Sequence, residues 1–152
     1  MSEVSPNVPF WKIAKTLKVL SSKNKIELIA KAALAKKAKD VVLIDLHKLS
    51  AICDYFIIAS GNSIVQIDTI ADNIEKELLV HNCKLWHREG HGEALWILLD
   101  YGDIVVHVFY KDTRGFYNLE KFWFDAPQRR LKEKGFRKSA TRPTKKKAET
   151  RK

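Results

Sequence analysis

Residues 94–99 (ALWILL) and Ile104–Tyr110 (IVVHVFY), separated only by Asp100-Tyr101-Gly102-Asp103, restrict this chain more than any other feature. Both runs are rich in β-branched and aromatic residues and short enough for strands. A four-residue link forces them to be antiparallel neighbours, because a parallel pair needs a crossover of about a dozen residues. Apolar residues occupy both faces of each run, so the pair is expected inside a sheet covered on two sides.

The surrounding sequence supplies the covers and further strands. Ile26, Ile29, Ala30, Ala33 and Leu34 share one face of a helix that begins at Ser22. Phe10, Ile13, Ala14, Leu17 and Leu20 suggest a short amphipathic helix before it. Residues 41–46 and 55–59 read as strands joined by a wide hairpin over residues 47–53. Gly61-Asn62-Ser63 then breaks the second strand, with Ser63 as N-cap of a helix carrying Ile64, Ile67, Ile70, Ala71, Ile74 and Leu78 at its buried spacing. Residues 85–87 suggest another strand. A single helix is expected over residues 114–124, ended by Pro127. The expected fold class is α/β: a mixed sheet of about five strands with flanking helices.

Charge divides the chain into three parts. Residues 1–39 hold nine Lys and two Glu, residues 40–127 seven basic and fourteen acidic residues, and residues 128–152 twelve basic and two acidic residues. An acidic body of net −7 thus lies between ends of +7 and +10. The domain expectation follows: a basic N-terminal extension over 1–22, a folded domain over 23–127, and a disordered basic tail over 128–152. No apolar run reaches the ~18–20 residues of a membrane span. The start, MSEVSPNVPFWK, lacks the order of a signal peptide, and Cys53 and Cys83 suit buried, reduced thiols. A cytoplasmic protein is expected.

Candidate chemistry is sparse. His87 and His91 have the i, i+4 spacing of a zinc helix, but Arg88 stands where a zincin needs Glu, and Gly90 and Gly92 argue for a loop. His107, within an apolar strand, reads as a hydrogen-bonded interior histidine. Ser60-Gly61-Asn62-Ser63 resembles the turn that opens phosphate sites, yet no Asp-x-Asp pair accompanies it. Asp45 and Asp54 are isolated, and Asp100 and Asp103 lie in a turn. No P-loop, dinucleotide glycine motif, nucleophile elbow or Cys-x-x-Cys occurs. These readings assign no catalytic residue, no metal and no cofactor, and point to a binding protein rather than an enzyme.

Aromatic residues crowd the end of the body: Trp86, Trp96, Tyr101, Phe109, Tyr110, Phe116, Tyr117, Phe122, Trp123 and Phe124. On one continuous final helix, Phe116, Leu119 and Trp123 would share a core face. Tyr117, Phe122 and Phe124 would then point away, so part of the set is expected to form a partner surface.

The segments DYFIIASGNSIVQIDTIADNI (54–74), REG (88–90) and LWILLDYGDIVVHVFYKDTRGFYNLEKFWFDA (95–126) together resemble the ribosomal silencing factor, or Iojap, family. The resemblance covers residues 40–127, in order and with consistent spacing. It implies a nucleotidyltransferase-like α/β domain without the catalytic carboxylates. It also implies binding to the large ribosomal subunit through large-subunit ribosomal protein fourteen. Joining of the small subunit would then be blocked sterically, lowering translation when nutrients are scarce. By that resemblance Trp96 and Tyr117 match the partner-contacting aromatics, and Asp100, Leu119, Glu120 and Trp123 lie in the same block. Phe122 stands where Leu is usual and Val65 where Arg is common.

The basic ends lie outside the resemblance. Arg129, Arg130, Lys145, Lys146 and Lys147 are the candidate rRNA contacts, adding phosphate affinity to protein docking. A general RNA-binding protein acting through its termini is the alternative, and a nucleotidyltransferase-type enzyme a more distant one. An aromatic face left bare in the free protein can pair with itself, so a homodimer is a further expectation.

Overall fold

The computed structural model describes residues 20–90 and 95–132. The expected helix beginning at Phe10, the loop residue His91, and Lys145, Lys146 and Lys147 fall outside these. Elements run in the order α1 (Ser22–Ala35), β1 (Lys39–Asp45), β2 (Tyr55–Gly61), α2 (Ile64–Val80), β3 (His87–Glu89), β4 (Trp96–Asp100), β5 (Ile104–Tyr110), α3 (Lys111–Tyr117), α4 (Leu119–Phe122) and β6 (Gln128–Arg130). They build one six-stranded mixed sheet in the order β3-β4-β5-β2-β1-β6. Only β2 and β5 pair in parallel; β1–β2, β4–β5, β3–β4 and β1–β6 are antiparallel. α2 lies in the crossover that makes the parallel pair possible.

Period-two alternation assigns the two faces. Val41, Leu43, Ile57, Ala59, Ile97, Leu99, Ile104, Val106 and Val108 point to the side covered by α1 and α2, where Ile29, Ala33, Ile67, Ile70, Ile74 and Leu78 meet them. Ser21 caps α1 by accepting from the Asn24 amide at 3.2 Å, and Ser63 caps α2 by accepting from the Gln66 amide at 3.0 Å. The opposite side holds a smaller cluster of Ile44, Leu46, Cys53, Ile58, Phe109 and Ala126.

The turn between β4 and β5 is tied down from both ends. Gly102 has φ +92, a backbone conformation that favours glycine, and the exposed Trp86 ring lies over the place where a Cβ would stand. Asp103 accepts from Lys25 Nζ at 2.9 Å and from the Ser22 hydroxyl, which anchors the start of α1 to this turn. Burial alone would raise the Asp103 carboxyl, but the Ser22 and Lys25 hydrogen bonds outweigh it and hold its pKa below the ordinary value. A depressed folded pKa stabilises above the unfolded value of about 3.9 and stops doing so as pH falls through the folded one. Asp103→Asn is therefore expected to flatten the acid limb of stability against pH. Urea denaturation between about pH 3 and 6 checks this, and an unchanged limb would assign the acid sensitivity to other carboxylates.

Four sequence expectations change. The helix over 114–124 is two short helices, because Asn118 adopts φ 47 and restarts the chain, its side chain accepting from the Lys121 amide. The sheet runs past residue 127: β6 pairs with β1, and Leu131 is 2% exposed in the main core. β3 begins at His87 rather than at residue 85, so His87 lies in a strand and not on a zinc-binding helix. Finally, among the described residues β4 is fully covered on one side only, since Trp96 and Leu98 stay half-buried while Ile97 and Leu99 are fully buried. Burial raises both thiols, Cys53 and Cys83, above their ordinary value, as suits unreactive cysteines. Among the described residues no helix is long and apolar enough to cross a membrane.

Candidate functional site

The half-covered side of the sheet is where the aromatic residues collect. Alternation along β4 and β5 turns Trp96, His107 and Phe109 to this side, and the antiparallel register sets Trp96 opposite Phe109. α3 leaves β5 directly and brings Tyr117 back over them. Trp96 lies 4.8 Å from Phe109 and 4.6 Å from Tyr117, ring centre to ring centre. Phe116 meets Tyr117 edge-on at 5.0 Å. Phe109 is wholly buried, whereas Tyr117 is 48% and Phe116 80% exposed. A buried ring thus supports a strip of partly open ones. Such strips give large contact area for little ordering cost.

A second aromatic group borders the first. Leu119 and Trp123 pack on the smaller cluster, and Trp123 meets Phe56 edge-on at 6.3 Å. Phe122 and Phe124 remain 69% and 79% exposed. The break at Asn118 explains why Phe116 does not share a face with Leu119 and Trp123: the second helix starts with a new phase.

Arg114 holds this corner together. Its guanidinium donates to the Ser60 hydroxyl at 2.6 Å, and through Nε and Nη2 to Glu120 at 3.1 and 2.6 Å. One half-buried fork therefore joins the end of β2 to both short helices across the Asn118 break. Glu120, expected among the partner contacts, is turned inward onto Arg114.

Asp100 is also placed apart from the aromatic strip. It ends β4 at the far side from Trp96, and its carboxylate accepts the Gly102 amide at 2.8 Å. Trp96, Tyr117, Leu119 and Trp123 are therefore brought to one side, while Asp100 and Glu120 serve the turn and the helix corner. Arg129 and Arg130 lie in edge strand β6, with Arg130 paired to Asp40. Val65 is 74% exposed on the first turn of α2.

His107 is the residue whose role the sequence concealed. It is 4% exposed, and its Nδ1 lies 3.1 Å from the Trp96 indole nitrogen. An indole only donates, so Nδ1 accepts and the single imidazole proton sits on Nε2. That Nε2 has no partner among the described residues. Burial pushes the pKa down to about 4, so the ring is neutral at ordinary pH. An unpaired buried donor typically costs about 1–3 kcal/mol. Strand parity and the tight turn after Asp100 carry the signal that would have joined His107 to Trp96.

The phosphate-like turn has little donor capacity left. The Asn62 amide donates to the Gln66 side chain at 2.6 Å, and Ser63 is engaged as the α2 cap. A polar cleft of about 540 Å³ opens beside it, between Lys39, Ser60, Asn62, Lys111 and Arg114, with Arg114 already committed to Glu120. Among the described residues no three His, Cys, Asp or Glu side chains converge to hold a metal ion.

Comparison with known proteins shows the family and the fold. The family described as "Ribosomal silencing factor during starvation" matches residues 19–152. The chain is 42% identical over 108 residues to ribosomal silencing factor RsfS of Bacillus subtilis, covering 71% of this chain and 92% of that protein. A crystal structure from Chromobacterium violaceum is similar with a TM-score of 0.67 at 30% identity, covering 69% of this chain and 88% of that one. A crystal structure from Bacillus halodurans has a TM-score of 0.61 at 40% identity, covering 70% and 96%. With its fold and most of its length matched in this way, the chain belongs to the ribosomal silencing factor family.

Proposed function

We propose that the protein docks on the large ribosomal subunit through large-subunit ribosomal protein fourteen, using the Trp96–Tyr117 strip, and blocks joining of the small subunit by its bulk. It does so in the cytoplasm as a binding protein, without chemistry, and lowers translation when nutrients are limiting. The observation that carries the reading is the strip itself: partly open aromatic rings supported by a buried one, on a sheet side that no long helix among the described residues covers. Residues 40–127 carry net −7, which suits a basic ribosomal partner by speeding encounter, while the desolvated rings slow release. Sedimentation of purified large and small subunits with the protein tests this. Co-migration with large subunits and fewer joined ribosomes are expected; co-migration with small subunits alone would overturn it.

The basic tail adds rRNA contacts to that docking. Because β6 and Leu131 belong to the sheet, the informative truncation ends at Lys132 and removes Lys145, Lys146 and Lys147. Ribosome binding should weaken and its salt dependence should flatten, by close to one unit of log–log slope for each phosphate the tail no longer neutralises. An unchanged slope would remove the tail from the interface. Arg129 stays in this truncation, as does Arg130 with its Asp40 partner, so any contribution from β6 is read separately.

A further inference from the structure

The Trp96 indole N–H, the ring's only hydrogen-bond donor, is directed into the protein and not toward a partner. Its acceptor, His107, is held by rings on several sides. Phe56 meets it edge-on at 4.5 Å, and Phe109 is stacked with it at 6.1 Å. The hydrogen bond therefore ties a half-buried ring to a buried one packed against Phe56 and Phe109.

We propose that His107 is a positioning residue for docking: by accepting the Trp96 N–H it holds the indole in one orientation against Phe109 and Tyr117, and leaves only carbon edges and π-faces for the partner. The inference rests on the docking reading above and sharpens it. A surface of that kind selects aliphatic or cationic side chains, which bind ring faces, over carbonyl or carboxylate groups, which would need the hidden donor. Together with the acidic body, it favours a basic partner whose Arg, Lys or apolar side chains lie on the Trp96 ring.

His107 also retains an unpaired buried Nε2. An apolar ring of similar size would fill the same space without an orphaned Nε2 but would leave the Trp96 N–H without its acceptor, so the two costs offset and packing alone does not account for histidine here. The role lies in the hydrogen bond that only Nδ1 makes.

Two variants separate positioning from packing. His107→Phe keeps a ring and removes the acceptor. His107→Asn loses ring volume but places an amide oxygen close to the Nδ1 position. In the free protein, the Trp96 indole N–H resonance should move in His107→Phe and remain near its original position in His107→Asn. Binding to purified large ribosomal subunits should weaken about five- to tenfold in His107→Phe, although its thermal midpoint stays close to the original, because loss of the unpaired Nε2 offsets loss of the acceptor for the Trp96 N–H. His107→Asn should melt earlier yet bind close to the original protein. Unchanged affinity in His107→Phe, or equal weakening in both variants, would overturn the inference while leaving the docking reading intact. Failure of the unmodified protein to bind large subunits would overturn both.

Discussion

Trp96→Glu is expected to lower affinity for the large ribosomal subunit by about thirtyfold or more while the domain stays folded. The indole touches Phe109, Tyr117 and His107 at once, so its removal takes away the centre of the strip and not its margin. Losing such an anchor typically costs ~2 kcal/mol or more, which sets that scale. A carboxylate in its place also puts a charge where the partner must exclude water. The main core lies on the other side of the sheet, around Ile57, Ile97, Val106 and Val108, and does not depend on Trp96. Circular dichroism should therefore be unchanged. Normal co-sedimentation by a folded Trp96→Glu protein would exclude Trp96 from the interface.

The second large effect concerns stability and lies at a residue that composition assigns to the tail. Leu131→Ala should destabilise the protein by about 2–4 kcal/mol, because Leu131 is 2% exposed within the helix-covered core. Ending the chain at residue 127 should cost more. It also removes the β6 pairing with Val42, Leu43 and Ile44, including the Leu131 amide donating to the Val41 carbonyl at 2.7 Å. A lowering of the thermal midpoint by roughly 10 °C is the scale to look for. Ending the chain at Lys132 should leave the midpoint unchanged. Equal stability of the two truncations would mean that β6 contributes nothing to the fold.

These two sites show which parts of the molecule were legible in its sequence. The cores of β1, β2, β4 and β5 were readable because each is a short apolar run between polar breaks, and α1 and α2 because their buried residues recur at helical spacing, in α2 behind the Ser63 cap. Trp96 and Tyr117 were named through the family resemblance, and the excess of aromatics implied a partner surface on the final helix, but the sheet itself was expected to be covered on both sides, and its partly open side is seen only in the packing of Trp96 and Leu98. β6 was hidden because Gln128-Arg129-Arg130 has the charged composition of the tail that follows it. Its strand character comes from the free edge of β1 and from one buried leucine. The break at Asn118 was hidden for another reason: a single left-handed residue leaves the composition of a helix untouched while resetting its phase. Glu120 and Asp100 sat within the motif block, and only their hydrogen-bond partners showed them facing Arg114 and the Gly102 amide.

Length, alternation and the tight turn after Asp100 determined that this chain forms a layered α/β domain with an acidic body and basic ends. Short-range rules suffice there, because strand period, helix period and turn length are local properties. Which aromatic rings stay open, what Trp96 donates to and where the sheet ends were decided by the tertiary structure. Each of those depends on what lies across a strand pair or under a helix, and that is fixed by packing between segments far apart in the chain.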